Sequence, residues 1–396
     1  MGQTAPKFVS LFSGCGGFDL GFLSEGYACA GAFDVDPVAI EVHRNNLKGP
    51  ALVCDLASDP LDFGRAQIDV LLAGPPCQGF STVGRRDPND PRNNLLVRVG
   101  ALAGDLRPKV VVIENVTGVL SGASRQYWSS VIQMLRNLGY RTAEFRCDSH
   151  KMGVAQRRHR AVAMAWRSNR SIPADLIGQS GGTLRDAIRG VARATDHCPK
   201  ALNPVTRLAR IAQRIRPGQK LCNVRASDRA VHTWDIPEVF GATTLRERCI
   251  LEALLRLRRR HRVRDTGDGD PVTARVLSSY VGFPAGPVLR RLLAAGYIRR
   301  TSERYNLTHT FNGKPRRLRW SQPVPTVDTR FGDPWYYLHP SQNRGFTIRE
   351  AARLQGFPDW FTFSGSVRAR YRLIGNAVPP PLAAVLAAFV RDHLLS

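Results

Sequence analysis

One thiol sits where chemistry is possible. Cys77 follows an apolar run and two prolines in IDVLLAGPPCQGFSTVG, residues 68–84. Proline carries no N–H, so Pro75 and Pro76 end the run and turn the chain out of a sheet. A cysteine there is either a small buried side chain, the usual fate of a free cysteine, or a nucleophile held at the mouth of a cleft. Glu114 and Asn115 lie near the end of a second apolar run, KVVVIENV. Burying an unpaired carboxylate is costly, so Glu114 either caps a loop or serves as an acid or hydrogen-bond partner near Cys77. In MGVAQRRHRAVAMAW, Gln156, Arg158 and Arg160 precede a third run. Alternate residues of an extended chain point the same way. Arg158 and Arg160 therefore reach one ligand together, or else line a solvated basic loop.

A fourth stretch, SLFSGCGGFDLGF (10–22), places glycines directly after a strand-like segment. Glycines there let a ligand approach the backbone and expose N–H groups at a helix start. The spacing is not the GxGxxG of a dinucleotide site. Asp34 ends the next strand pattern, placed to accept from ribose hydroxyls, and Asp55 in VCDL is placed to accept from an adenine amino group. Each acid alone is a solvated loop carboxylate. The glycine turn, Asp34 and Asp55, three in register along one sheet edge, favour a nucleoside ligand.

These stretches need a frame that brings them to one edge. Residues 7 to 166 alternate strand-like and helix-like segments: KFVSLF, ACAGAFDVD, IDVLLAG, KVVVIENV and RAVAMAW as strands, with PVAIEVHRNNL and YWSSVIQMLRNLGY among the helices. That alternation predicts an α/β fold with a doubly wound, mostly parallel sheet. Ligands in such sheets bind outside the carboxyl ends of the strands, where SGCGG, DVD, PPCQ and ENV all fall. We place a catalytic and cofactor-binding domain at 1–168, a basic insert at 169–340, and a C-terminal segment at 341–396 that returns to the first domain. The apolar YRLIGNAVPPPLAAVLAAFVRDHLL is too hydrophobic to be a free tail.

Charge divides the chain in the same way. The sequence has 57 basic and 32 acidic residues, net +25, and residues 141–330 alone hold 38 and 15, a difference of +23. Such a field implies a polyanionic partner, most often nucleic acid. Within the insert, TARVLSSYVGFPAGPVLRRLLAAGYIRRTSERYNLTH predicts a winged helix over 271–310, with PAGPVLRRLLAAG as its recognition helix. A plain helical hairpin with solvated arginines is the alternative. The eight cysteines show no CxxC or other zinc spacing, so no metal is expected. A hydrophobic content of 43% without a run of ~20 apolar residues, and an N-terminus unlike a secretory signal, predict a cytoplasmic protein in a reducing compartment with no membrane partner.

Together these motifs make the chain resemble the DNA (cytosine-5) methyltransferases, which use S-adenosylmethionine. The matching stretches, in order, are FSGCGGFDLGF, FDVDPVA, CDL, GPPCQGFS, NNLL, ENVTGVL, QRRHR, TIREAARLQGFPDWF and IGNAVPPP, over residues 11–166 and about 345–390. The resemblance implies a Rossmann-like catalytic domain and an inserted target-recognition domain that shares no motif set. It implies Cys77 as the nucleophile that adds to C6 of a flipped cytosine in double-stranded DNA. Glu114 then holds the base through N3 and the exocyclic amine, and Arg158 and Arg160 contact the extruded base. Phe12, Gly14, Gly17, Asp34, Val35, Asp55, Leu56, Pro75, Leu95, Asn376 and Val378 fall on cofactor-pocket positions. Two positions depart from the pattern: Asp34 stands where glutamate is common, and Val35 where a larger residue often packs on the adenine. A monomer acting beside a restriction endonuclease of the same site is expected. A solitary regulatory DNA methyltransferase, an RNA cytosine-5 methyltransferase of the same fold, or an idle DNA-binding regulator are the alternatives. The intact Cys77, Glu114, Arg158 and Arg160 weigh against the last.

Overall fold

The computed structural model describes residues 5–59, 61, 67–76, 94–225, 227–260, 262–263, 269–308 and 311–395. The chain divides into two compact units, residues 1–197, 321–330 and 348–396 forming the first and 198–320 with 331–347 the second.

In unit 1, β1 (Lys7–Leu11), β2 (Ala28–Asp34), β3 (Ala51–Val53), β4 (Val70–Ala73), β5 (Val110–Val116), β6 (Arg141–Asp148) and β8 (His159–Trp166) make one seven-stranded sheet; a two-residue strand, β7 (Gln156–Arg157), precedes β8. The order is β3-β2-β1-β4-β5-β8-β6. All neighbours are parallel except β8, which runs antiparallel to both β5 and β6. This is the doubly wound, mostly parallel sheet that the sequence predicts, with two strands added. β3 is three residues long, and β6 reads RTAEFRCD, too polar to stand out as a strand.

Side-chain alternation explains why the central strands read as continuous apolar runs: both faces of the sheet are covered. Leu71, Val111 and Ala163 point into one core with α3 (Asn94–Leu106) and α4 (Arg125–Asn137). Leu72, Val112 and Val162 point into the other, with Phe18 and Phe22 of α1 (Gly17–Ser24). α2 (Pro37–Asn46), started by Pro37 and capped by Asp36, which accepts from Val38 N at 3.1 Å, connects β2 to β3.

The boundary expected at 168/169 moves. The short helix α5 (Leu184–Ala187) belongs to unit 1, and Leu184 N donates to Gln322 O at 2.9 Å. Unit 2 contains α6 (Arg207–Arg214), β9 (Lys220–Cys222), β10 (Ala230–Val231), α7 (Pro237–Phe240) and α8 (Leu245–Arg260). It continues with β11 (Val272–Thr273), α9 (Ala274–Val281), α10 (Gly286–Ala295), β12 (Ile298–Thr301), β13 (Arg304–Leu307) and β14 (Asn312–Arg317). β15 (Val324–Pro325) crosses back to pair with β7 in unit 1, whereas β16 (Tyr337–Leu338) pairs with β14 in unit 2. The second boundary, expected at 340/341, accordingly splits into 320/321, 330/331 and 347/348.

The chain ends in unit 1 with α11 (Ile348–Gln355), α12 (Val367–Asn376) and α13 (Pro380–Val390). Residues Val367–Leu395 are long and apolar enough by composition to cross a bilayer, but 67% of their most apolar window is buried. α13 lies against α1: Tyr27 Oη donates to Ala387 O at 2.9 Å, and a Cβ on Gly21 would come within 2.3 Å of Ala383 Cβ. It is a core helix of this unit.

Candidate functional site

The glycine-rich turn leaves β1 in an unusual conformation. Phe12, Gly14 and Gly16 all have positive φ, at 56°, 56° and 92°. For a bulky residue such as Phe12 this region is strained, and strain of this kind collects at ligand sites. The turn is held from outside. Gly14 N donates to Asp34 Oδ2 at 2.9 Å, and Asp36 N to Asp34 Oδ1 at 2.9 Å. Asp34 thus positions the turn as well as facing it. A carboxylate has about four acceptor positions, so two backbone bonds leave capacity for another donor. Burial pushes the Asp34 carboxyl above its ordinary range, against the lowering effect of those two bonds.

Beneath the turn lies a buried cluster that the sequence did not single out. Ser10 Oγ donates to Asp19 Oδ1 at 2.6 Å, and His43 Nε2 meets Asp19 Oδ2 at 2.7 Å, with His43 and Asp19 side chains fully enclosed. A Cβ on Gly16 would come within 2.8 Å of the His43 ring. The legible signal was Asp19 itself, a carboxylate within the apolar helix start GFDLGF.

The other expected cofactor residues stand in different states. Cys54 N donates to Asp34 O at 3.0 Å, setting β3 beside β2. Asp55 is exposed, and its Oδ1 accepts from Ala57 N at 3.0 Å. Val35 is 64% exposed, whereas Leu56 is enclosed in the core with Phe33 and Leu96. Leu95 is half-buried in the first turn of α3. Gly17 abuts the C-terminal segment: its Cβ position lies 2.4 Å from Val378 O. Only glycine fits there, and the contact joins the turn after β1 to the Asn376–Val378 stretch. Asn376 itself is exposed.

The reactive stretches meet one strand further along. Pro75 is buried, and its carbonyl accepts from Asn115 Nδ2 at 3.4 Å, so the ends of β4 and β5 are tied together. Cys77 lies outside the described residues. Glu114 is 8% exposed and is met by Arg160 Nε at 2.7 Å. The antiparallel register explains the meeting, because Val116 faces Arg160 and Glu114 faces Val162. Arg160 also donates to His159 O at 2.8 Å. Two of the buried thiols described in this unit, Cys15 and Cys147, are both pushed up to about 12, chiefly by burial. Both therefore stay protonated and unreactive near neutral pH.

Arg158 and Arg160 do not reach one ligand together. Arg158 is 3% exposed, and its guanidinium donates to Val327 O, Gly375 O and Ala377 O at 3.1, 3.0 and 3.2 Å. It falls between β7 and β8, where the chain leaves the strand geometry on which simple alternation depends. Gln156 plays a similar part. It is fully buried, accepts from Val327 N at 2.9 Å, and donates to Leu354 O and to the Gln355 side chain.

The chain that carries this glycine turn, these strand-end acids and this Glu–Arg pair matches a known family along nearly its whole length. The model for C-5 cytosine-specific DNA methylases covers residues 6–390. The chain belongs to that family. Among curated relatives, the Type II methyltransferase M.DdeI of Desulfomicrobium norvegicum is 30% identical, over 96% of this chain and 87% of its own. The Type II methyltransferase M.XorII of Xanthomonas oryzae pv. oryzae is 29% identical, over 99% and 86%. Among solved structures, a DNA modification methyltransferase encoded within a prophage (E. coli) superposes with a TM-score of 0.60 at 21% identity, covering 99% of both chains. The Entamoeba histolytica methyltransferase EhMeth gives 0.55 at 14%, covering 98% of this chain and 99% of its own. These two likenesses concern the fold. The enzyme is a DNA cytosine-5 methyltransferase.

Proposed function

We propose that the enzyme methylates C5 of a cytosine within a specific double-stranded sequence, drawing on S-adenosylmethionine, as the modification partner of a restriction endonuclease. The observation that supports this most is the Glu114–Arg160 pair, a fixed carboxylate at the strand end next to the one leading into Pro75-Pro76-Cys77. We place the enzyme in a reducing cytoplasm, acting as a monomer.

The residues present suit S-adenosylmethionine. Ser13 Oγ is buried without a hydrogen-bond partner among the described residues, and nothing lies within 4 Å of a Cβ position on Gly14. The turn thus offers both an open approach and a waiting polar atom. Phe12, Gly14, Gly17 and Pro75 would form the floor, with Asp34 on the ribose. Val35, Asp55, Leu56 and Leu95 would surround the adenine, and Asn376 and Val378 would close the far side. When bound, the cofactor supplies an electrophilic methyl group.

The target atom is hidden in the base stack, so the cytosine must be rotated out of the duplex by about 180°. C5 of cytosine is a weak nucleophile until a thiolate adds to C6, and Cys77 takes that part. Glu114 spans N3 and the exocyclic amine, and a proton shared with N3 offsets the charge that addition drives into the ring. Arg160, held on Glu114, faces the same base. Arg158 acts by positioning: it fixes Gly375 and Ala377 on either side of Asn376. Loss of the C5 proton and elimination of Cys77 restore the aromatic ring. The excess of cations in residues 141–330 supplies phosphate contacts.

Bisulfite sequencing of DNA from cells expressing the wild-type chain or Cys77→Ser tests this reading. Protection at one recurring sequence is expected only with the wild type. No protected cytosines in the wild-type sample would defeat the activity, and equal protection in both would remove Cys77 from its role.

A further inference from the structure

One part of unit 2 plays no role in that chemistry. α8, β11, α9, α10 and the β12–β13 hairpin follow one another as helix, strand, helix, helix and wing, and β11 completes a three-stranded antiparallel sheet on β13. Leu254, Leu277, Leu289, Leu292, Ile298 and Leu307 form its core. This element order suits the winged helix-turn-helix expected over residues 271–310, with α10 in the place of the recognition helix.

The entry to α10 does not suit recognition of bases. In helix-turn-helix proteins the N-terminal residues of the second helix meet the base edges. α10 buries Ala285, Leu289 and Leu292, spaced four and three apart, and turns Pro287, Arg290, Arg291 and Ala294 outward. The chain entering the helix reads Pro284-Ala285-Gly286-Pro287. No side chain from Pro284 to Pro287 carries a hydrogen-bond donor or acceptor. The four base pairs are told apart in the major groove mainly by their donor and acceptor patterns, which such an end cannot engage.

The module is instead rich in unpaired cations. Residues 272–308 contain six arginines and one acid. Arg275, Arg290, Arg299 and Arg304 are exposed, and none has a partner among the described residues. In the wing, Thr301 faces Arg304 across the hairpin and Arg299 lies two residues before Thr301, so Arg299 and Arg304 share one face. Arg300 is committed elsewhere, to Ser302 O at 2.7 Å and Glu303 Oε1 at 2.6 Å within the wing turn.

We propose that this winged helix is a clamp on duplex DNA that holds phosphates through Arg290, Arg299 and Arg304 and does not choose the sequence. Target choice then lies elsewhere in the enzyme. The proposal rests on the methyltransferase reading given above. Phosphate contacts set register and carry no sequence information, and each one lost makes the dependence of log affinity on log salt less steep by about 0.9.

The test compares the full-length wild type with Arg290→Ala/Arg299→Ala/Arg304→Ala, and with the corresponding triple lysine variant. Binding to duplexes with and without the methylated site is measured across salt concentrations, the methylated sequence is mapped, and thermal unfolding is followed. For the alanine variant we expect unchanged unfolding and a salt slope less steep by about 2–3. Affinity should fall by the same factor on both duplexes, and the methylated sequence should stay the same. The lysine variant should keep the wild-type slope. A changed or relaxed methylated sequence would overturn the proposal in favour of base reading. An unchanged slope in a folded, active alanine variant would overturn it too, leaving the face to an acidic protein partner. Failure of the wild type to methylate any duplex would instead defeat the methyltransferase reading itself.

Discussion

Replacing Arg158 by alanine separates a residue that builds the site from one that touches the base. In the native chain its guanidinium satisfies three buried carbonyls, those of Val327, Gly375 and Ala377. A hydrogen bond to a charged group contributes about 1.5–3 kcal/mol, and a buried group left unsatisfied costs about 1–3 kcal/mol. The three bonds share one side chain, so the losses overlap, and a destabilisation of about 4 kcal/mol follows. At roughly 2–4 °C per kcal/mol for a unit of this size, the unfolding midpoint should drop by about 8–16 °C. Lysine presents a point charge in place of a planar fork, so Arg158→Lys should recover less than half of that. Because Gly375 and Ala377 flank Asn376, the surviving folded enzyme should show a raised KM for the cofactor, with kcat reduced much less. Urea and thermal unfolding, together with steady-state methylation at varied cofactor concentration, read both effects. If Arg158→Ala kept its midpoint and lost kcat alone, Arg158 would have to contact the base, and its assignment to the three carbonyls would be wrong.

Arg160 should behave in the opposite way: Arg160→Ala lowers kcat sharply, and a double-mutant cycle with Glu114→Gln returns a coupling of about 1–3 kcal/mol in activity. A coupling near zero would show that the 2.7 Å contact does not persist in the working enzyme. For Asp34 the sign of the pH effect follows from burial. Its carboxyl is raised above the ordinary value near about 3.9, and ribose hydroxyls bind the ionised form. Cofactor affinity should therefore be full at neutral pH and weaken as pH falls through the raised value, earlier than an ordinary aspartate would allow. Binding should release protons there, and calorimetry in buffers of different ionisation heat measures that release. Asp34→Asn should remove the pH dependence and weaken binding at neutral pH.

The central strands were legible because both faces of the sheet are covered, so VLLA and VVVI read as unbroken apolar runs. Glu114 was legible for the complementary reason that a carboxylate next to such a run needs a partner, and Arg160 supplies it. β6 escaped notice because Arg141, Glu144 and Arg146 stand exposed along it at the sheet's edge, leaving no apolar run to read. Arg158 was misjudged because its acceptors lie 169, 217 and 219 residues away along the chain. The unit boundaries shifted for the same kind of reason. The pairing of β15 with β7, and the ion pair of Arg349 with Asp196 at 2.7 Å, join stretches that no local pattern connects. The winged helix is a mixed case. Its element order could be read from helix and turn signals, but which side chains of α10 face outward emerged only once its buried stripe was known.

The packing of α13 on α1 has a consequence for the order of synthesis. The helix that covers one face of the central sheet is made roughly 20–75 s after α1, at about 5–20 residues per second. During that interval Phe18, Phe22 and the strand residues beneath them lack their cover, while all of unit 2 is produced. A nascent or interrupted chain also lacks two of the three carbonyls that Arg158 holds, those of Gly375 and Ala377, which arrive only with the C-terminal stretch. A chain cut within unit 2 should nevertheless regain its sheet cover when the missing half is supplied as a separate polypeptide.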